Sequence, residues 1–182
     1  MKKNKKCDLM VIDNFLDPDD FSAVKQIFTN TSFPWYMNPG ISDRFSTGSI
    51  TNPLDNYYFT HLLYMNHQIT SEHFESLSKI ITPKIRETLV MNFRAYIRIK
   101  ANMYIRTEKV QVHNWHIDGK EIADLQSGLL CLNTCDGYTG FIDGSEVDSV
   151  ENRMIFFDAN DKHHSTTCSN ASQRLNININ FV

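Results

Sequence analysis

His116-Ile117-Asp118, followed downstream by the adjacent pair His163 and His164 and then by Arg174, are the residues of this chain best suited to chemistry. Two imidazoles and one carboxylate gathered on one face of a metal ion leave the opposite face open, the arrangement that suits non-haem Fe(II). The spacing has a physical reason. Successive side chains of an extended segment alternate faces, so His116 and Asp118 point the same way while Ile117 points into the opposite layer. The third ligand must then arrive on a segment that folds back beside this one, and either His163 or His164 can supply it.

Arg174 opens the run Arg174-Leu175-Asn176-Ile177-Asn178-Ile179-Asn180-Phe181, which alternates polar and apolar residues almost strictly and reads as a half-buried strand. A guanidinium presents a planar fork of donors that pairs bidentately with a carboxylate. It can therefore hold the far end of a dicarboxylate whose other end chelates the metal, and 2-oxoglutarate is the natural candidate. Taken alone, an arginine at this place is more often a surface side chain opening an edge strand.

Further motifs surround these residues. Arg98-Ile99-Lys100-Ala101-Asn102-Met103-Tyr104 leads towards the His116/Asp118 pair, Leu132-Asn133 closes a strand, and Gly137-Tyr138-Thr139-Gly140-Phe141 forms the next turn and strand. Phe157-Asp158 precedes the distal histidines, and Val11-Ile12-Asp13-Asn14-Phe15-Leu16 opens the chain. In this order the set resembles the Fe(II)- and 2-oxoglutarate-dependent dioxygenases, specifically their prolyl 4-hydroxylase-like branch with its small phage and marine bacterial members. The resemblance covers nearly the whole chain. It implies a mainly β fold with flanking helices, the double-stranded β-helix, a kind of jelly roll.

The same resemblance implies Fe(II) held by His116, Asp118 and one distal histidine. The family pattern of Phe-Asp, a short turn and then the histidine fits Phe157 to His163, which favours His163 and leaves His164 facing away. Arg174 would hold 2-oxoglutarate, with Tyr104 a candidate for a hydrogen bond to the same carboxylate or else core packing. His113 could orient the site, although a solvent-facing or satisfied histidine is the commoner case. Cys131 departs from many relatives, which carry a different residue near the cosubstrate, and Asn133 either supports the pocket or simply ends its strand. The implied reaction couples oxidative decarboxylation of 2-oxoglutarate by dioxygen to hydroxylation of a substrate C–H bond. Asp118 retains the carboxylate ligand that halogenating relatives give up to halide. A peptidyl or free proline is the substrate this branch suggests.

Two other readings compete. Arg174-Leu175-Asn176 looks like the start of the arginine-x-asparagine signature of nucleobase demethylases, but residues 175–182 contain no second arginine. A jelly-roll metal-binding protein without turnover would need the ligands but not Arg174.

A chain of 182 residues, 41% hydrophobic and 12% aromatic, is of a size and composition to bury one sizeable core. Its net charge of -3 offers no footprint for nucleic acid, and Lys2, Lys3, Lys5 and Lys6 read as a solvated, fraying tail. Cys7, Cys131, Cys135 and Cys168 follow no zinc-finger spacing. Cys131 and Cys135 could join histidines around zinc, but Cys131 lies in the apolar run Leu129 to Leu132 and reads as core packing. With no signal peptide or long apolar span, a reducing, cytoplasmic setting without membrane contact is the default.

The supporting elements can also be read. Met10 to Phe15 reads as a strand, and Asp17-Pro18-Asp19-Asp20 starts a helix carrying Phe21, Val24, Ile27 and Phe28. Ser32 to Asn56, with its prolines, reads as irregular chain at a pocket rim or lid, its Phe33, Trp35 and Tyr36 mainly packing. Ser71 to Met91 has helical periodicity that Pro83 should kink or divide. Strands are expected over Ala95 to Arg106, Gly128 to Asn133, Arg153 to Phe157 and Arg174 to Val182. The single domain would thus carry helical support mainly in 17–91 and the jelly-roll core mainly in 93–182.

Overall fold

A computed structural model describes residues 8–40, 57–89, 93–119 and 122–182. Cys7, the basic tail and residues 41–56 of the expected rim lie outside them. In chain order the elements are β1 (Met10–Ile12), α1 (Pro18–Thr29), β2 (Tyr36–Pro39), β3 (Tyr57–Met65), β4 (Gln68–Ile69), α2 (His73–Leu89) and β5 (Tyr96–Ile105). There follow β6 (Gln126–Cys131), β7 (Tyr138–Phe141), β8 (Glu146–Asp148), β9 (Met154–Asp158), β10 (His163–Ser165) and β11 (Gln173–Phe181). The larger sheet runs β1-β9-β6-β11-β5-β3-β2, with β4 paired to β3, and the smaller runs β10-β7-β8. Bridges from Val112 to Thr166 and from His116 to His163 lay the segment before Asp118 along β10. This is the two-walled, antiparallel form of a jelly roll.

The central strands β6, β9 and β11 of the larger sheet are buried on both faces. Leu175, Ile177, Ile179 and Phe181 of β11 join Leu130, Met154, Phe156 and Ile99 in the main core, which α1 covers with Phe21, Val24 and Phe28. The other face looks towards the smaller sheet, where Leu129, Phe141, Val147, Ile155 and Phe157 form a second apolar cluster. On β11 that second face carries Asn176, Asn178 and Asn180, none more than 7% exposed. The alternation therefore marks two different interiors, one apolar and one polar, instead of the half-buried strand expected from the pattern.

Helix α2 is not divided at Pro83, which lies inside one continuous helix. Pro83 is exposed, and the carbonyl it leaves without a donor, that of Lys79, is on an exposed residue where water can serve it. Leu77, Ile81 and Ile85 hold the inner stripe against the sheet. Within the stretch expected to be irregular, Ser32 to Asn56, Tyr36–Pro39 forms β2 and pairs with β3. β3 is a nine-residue strand, and Asn66 and His67, both at positive φ, turn it tightly into β4. Phe33 and Trp35 pack edge to face at 5.0 Å, whereas Tyr36 on the sheet edge is 61% exposed. Near the start of the chain, the Asn152 amide accepts from the Leu16 N–H at 3.0 Å and donates to the Leu16 carbonyl at 2.7 Å, fixing the connection into α1.

Gly140 is the smaller sheet's tightest point, since a Cβ there would lie 2.3 Å from Nε2 of His164, its cross-strand partner. His164 packs on the outer face of that sheet, edge-on to Trp115 at 4.5 Å and to Tyr138 at 5.9 Å. Gly140→Ala should displace that ring and destabilise the fold by about 1–3 kcal/mol, read as a lower urea midpoint with an unchanged slope. His164→Ala in the same chain should recover part of the loss, as expected of two groups in contact.

Candidate active site

The inner faces of the two sheets bring His116, Asp118 and His163 together, with one ligand-type atom from each lying within 4.8 Å of the others. Backbone pairing does the positioning. The His116 N–H donates to the His163 carbonyl at 2.9 Å and the His163 N–H donates back at 3.0 Å, so the two rings are held 4.4 Å apart. The Asp118 N–H is anchored on the Ala159 carbonyl at 2.9 Å. His164, one residue on, faces the opposite side of β10, as alternation requires.

The hydrogen bonds also select the histidine tautomers. His116 Nδ1 lies 3.2 Å from the Asn114 carbonyl, and His163 Nδ1 lies 2.9 Å from the Asp161 carbonyl. A carbonyl only accepts, so each Nδ1 carries the proton and each Nε2 turns a lone pair to the shared space. Burial, then the neighbouring His163, pushes the His116 imidazole down to about 4, leaving it neutral and able to ligate at neutral pH.

Asp118 is the most heavily supported side chain of the group. Its Oδ1 accepts from Arg98 at 3.0 Å, and its Oδ2 accepts from Ser127 at 2.6 Å, Asn178 at 2.9 Å and Asn180 at 3.1 Å. Burial alone would raise this carboxyl. His163, Arg98 and the hydrogen bonds outweigh it and hold the group well below the usual carboxylate range. Arg98 is itself oriented by Asn180 Oδ1 at 2.9 Å.

Beside this group is a narrow cavity of about 40 Å³ whose walls include Tyr104, Thr139, Ser165, Asn102 and Lys100. Arg174 stands behind Thr139, fully buried, donating to Thr139 Oγ1 at 2.9 Å and to the Thr166 carbonyl at 3.1 Å. Its Nε has no partner, and no carboxylate pairs with it among the described residues. The guanidinium carbon lies 5.7 Å from the Tyr104 ring centre. Asn133 brackets this arginine, donating to the Gln173 carbonyl and accepting from the Leu175 N–H, both at 2.8 Å. Gly137 provides the room, since a Cβ there would come within 2.8 Å of Arg174 Cδ.

His113 is neither solvent-facing nor fully satisfied. It is 1% exposed, its Nδ1 lies 2.8 Å from Ser165 Oγ, and its Nε2 has no partner. Burial, then Arg174, pushes its imidazole down to about 3. It lies three positions before His116, so strict alternation would put the two on opposite faces. The irregular chain through Asn114 and Trp115 breaks that alternation and lets both turn inward. Cys131, Cys135 and Cys168 are buried free thiols, and among the described residues they join no cluster of metal-ligand type. Sequence reasoning assigned no role to Arg98, Lys100, Ser127, Thr139 or Asn178. Their signal was the polar face of alternating strands, which looks the same whether it meets water or a polar interior.

No helix among the described residues is long and apolar enough to cross a membrane. No protein-family model matches the chain. No curated protein matches it in sequence. Solved structures do match. An oxidoreductase of the 2OG-Fe(II) oxygenase family from Burkholderia pseudomallei aligns with a TM-score of 0.70 at 10% identity, over 95% of this chain and 84% of that one. A prolyl hydroxylase from Trichoplax adhaerens, solved with a peptide fragment of the hypoxia inducible factor oxygen degradation domain, aligns at 0.65 and 14% over 95% and 82%. The viral collagen prolyl hydroxylase of Paramecium Bursaria Chlorella virus-1 aligns at 0.57 and 13% over 100% and 98%. The chain therefore has the double-stranded β-helix fold of these proteins.

Proposed function

We propose that the chain is an Fe(II)- and 2-oxoglutarate-dependent dioxygenase that hydroxylates a C–H bond, with a peptidyl or free prolyl group as the first substrate to consider. The observation that carries this reading is the buried Arg174 guanidinium, without a carboxylate partner among the described residues, behind the cavity that His116, Asp118 and His163 also line. A buried cation without a counter-ion is costly, and an anionic ligand removes that cost. A metal-binding jelly roll without turnover has no use for it. The likeness to prolyl hydroxylases supports the substrate class.

The donor set fits the metal: two imidazole Nε2 atoms and one ionised carboxylate suit Fe(II) and leave an open face. His116, Asp118 and His163 would hold it, and when bound it supplies the redox chemistry by which dioxygen oxidises 2-oxoglutarate and the substrate. The protein's own contribution is positioning. The Asn114 and Asp161 carbonyls fix the two rings, and Arg98, Ser127, Asn178 and Asn180 keep Asp118 ionised and oriented. Arg174 and Thr139 would hold the far carboxylate of 2-oxoglutarate. Tyr104, buried beside them and raised above its ordinary value chiefly by burial, would keep its proton and donate it in a hydrogen bond to the same carboxylate. Leu129 and Phe157 supply the apolar wall that keeps bulk water from the metal side.

Two measurements test the reading. In anaerobic titrations with Fe(II), Asp118→Ala and His163→Ala should weaken binding by more than about 100-fold, beyond the usual effect of groups that only orient ligands, whereas His164→Ala should bind like the wild type. Equal losses at His163 and His164 would contradict the assignment. Addition of 2-oxoglutarate to the Fe(II) protein should produce a metal-to-ligand absorption band, and oxygen should then yield succinate. Arg174→Met should retain Fe(II) but raise the 2-oxoglutarate concentration for half-saturation by about 10- to 100-fold, with Arg174→Lys intermediate. A wild type that binds Fe(II) yet gives neither band nor succinate would favour the non-catalytic reading.

A further inference from the structure

Lys100 is the charged group among the described cavity residues that this mechanism leaves without a task. It sits on the inner face of β5 between Arg98 and Asn102, and it lines the same cavity as His116, Asp118 and His163. Its surroundings are unusual for a lysine. Among the described residues the Nζ reaches only the Tyr58 hydroxyl, at 3.5 Å, and lies 5.5 Å from the centre of the same ring. No carboxylate pairs with it among the described residues. Arg98 is engaged by Asp118 and Asn180, and Arg174 is enclosed behind Thr139. A lysine without a counter-ion normally extends its head into bulk water. This one is turned inward, and burial followed by the like charge of Arg98 lowers it to about 8.

The inner face continues outward from this point. Tyr58 stacks on Tyr104 at 5.5 Å with its ring nearly parallel, and Thr60 on the same strand is hydrogen-bonded by Asn38 of β2 at 2.5 Å. A polar track therefore leads from the metal group across β5 and β3 towards the sheet edge, on the side away from Arg174. A cosubstrate anchored at Arg174 and chelating the metal would leave this track to the molecule that is oxidised.

We propose that Lys100 recognises the substrate and that this substrate is anionic, presenting a carboxylate or a phosphate to the ammonium beside the Tyr58 hydroxyl. This rests on the oxygenase reading and narrows it: a proline substrate would be free or C-terminal, or would have an acidic group next to it. Tyr58 lends a donor to the anion and an aromatic face to the lysine.

The test uses the full chain with Fe(II) and 2-oxoglutarate under anaerobic conditions, titrated calorimetrically with acetate, N-acetyl-L-proline and inorganic phosphate. Acetamide and N-acetyl-L-prolinamide serve as neutral counterparts of the two carboxylates. At least one anion should bind saturably with one-to-one stoichiometry, and a carboxylate that binds should do so at least tenfold more tightly than its amide. The carboxylate and phosphate arms distinguish the two sources of negative charge. Lys100→Met should weaken binding tenfold or more, and Lys100→Arg should restore most of it, while the absorption band with 2-oxoglutarate persists in both. The proposal is overturned if no anion binds the wild type or if Lys100→Met binds as well as the wild type. It is also overturned if Lys100→Met abolishes the band, which would make Lys100 a cosubstrate group. A wild type without any band would sink the oxygenase reading instead, and the same anion titrations of the metal-free protein then test Lys100 on its own.

Discussion

The buried carboxylate of Asp118 is the constraint around which the polar half of this molecule is arranged. Removing a carboxylate from water costs several kcal/mol unless charge and hydrogen bonds replace hydration. Here the replacement comes from three neighbouring strands of the larger sheet: Arg98 on β5, Ser127 on β6, and Asn178 and Asn180 on β11. Asp118 itself lies on the segment that runs beside β10, on the opposite wall. One side chain thus fastens the two sheets where the histidines meet, and its four donors leave it few orientations. Metal affinity and sheet closure become properties of the same network.

That network explains why β11 must be polar on one face although neither face meets water. Leu175, Ile177, Ile179 and Phe181 belong to the core under the helices, while the intervening arginine and asparagines line the space between the sheets. Asn176 accepts from Asn102 at 2.9 Å, so the ladder continues on β5. Apolar residues at these positions would fill the space equally well but leave Asp118 without donors. Two glycines complete the arrangement by omission, Gly137 beside Arg174 and Gly140 beneath His164.

Much of this was legible before any coordinates. The periodicity of α1 and the strand character of β5, β6, β9 and β11 depend on local rules of alternation and helical repeat, whereas the preference for His163 over His164 rests on the family resemblance. What was not legible shares one cause. A period of two says that two faces differ, not what each face touches, so the asparagines of β11 looked like a solvent face. Likewise, β3 has no strict alternation, and a bulge near Leu62 shifts its register, which hid a nine-residue strand within a stretch expected to be helical support. His113, for which a solvent-facing or satisfied ring is the commoner case, is buried with its Nε2 unpartnered among the described residues because the irregular chain through Asn114 and Trp115 turns it inward. Pro83 does not divide α2, because whether a helix breaks depends on whether the freed carbonyl can find water, and that is a tertiary fact.

The charges of the site lead to one more step. Arg98, Arg174 and Lys100 are gathered around a cavity in which Asp118 is the only carboxylate among the described lining residues, and a divalent metal would add to the imbalance. Arg98 answers Asp118 directly. Arg174 has no counter-ion among the described residues, and its depth behind Thr139 suits the end of an elongated dianion. Even if such a dianion chelated the metal, Lys100 would face the remaining space without a partner of opposite sign among the described residues. Low-dielectric walls make that imbalance felt across the cavity, because like charges there are weakly screened. On the proposed reading the three cations divide the work: Arg98 holds the Asp118 carboxylate in place, Arg174 would draw in the cosubstrate, and Lys100 would set the sign of the molecule that enters last.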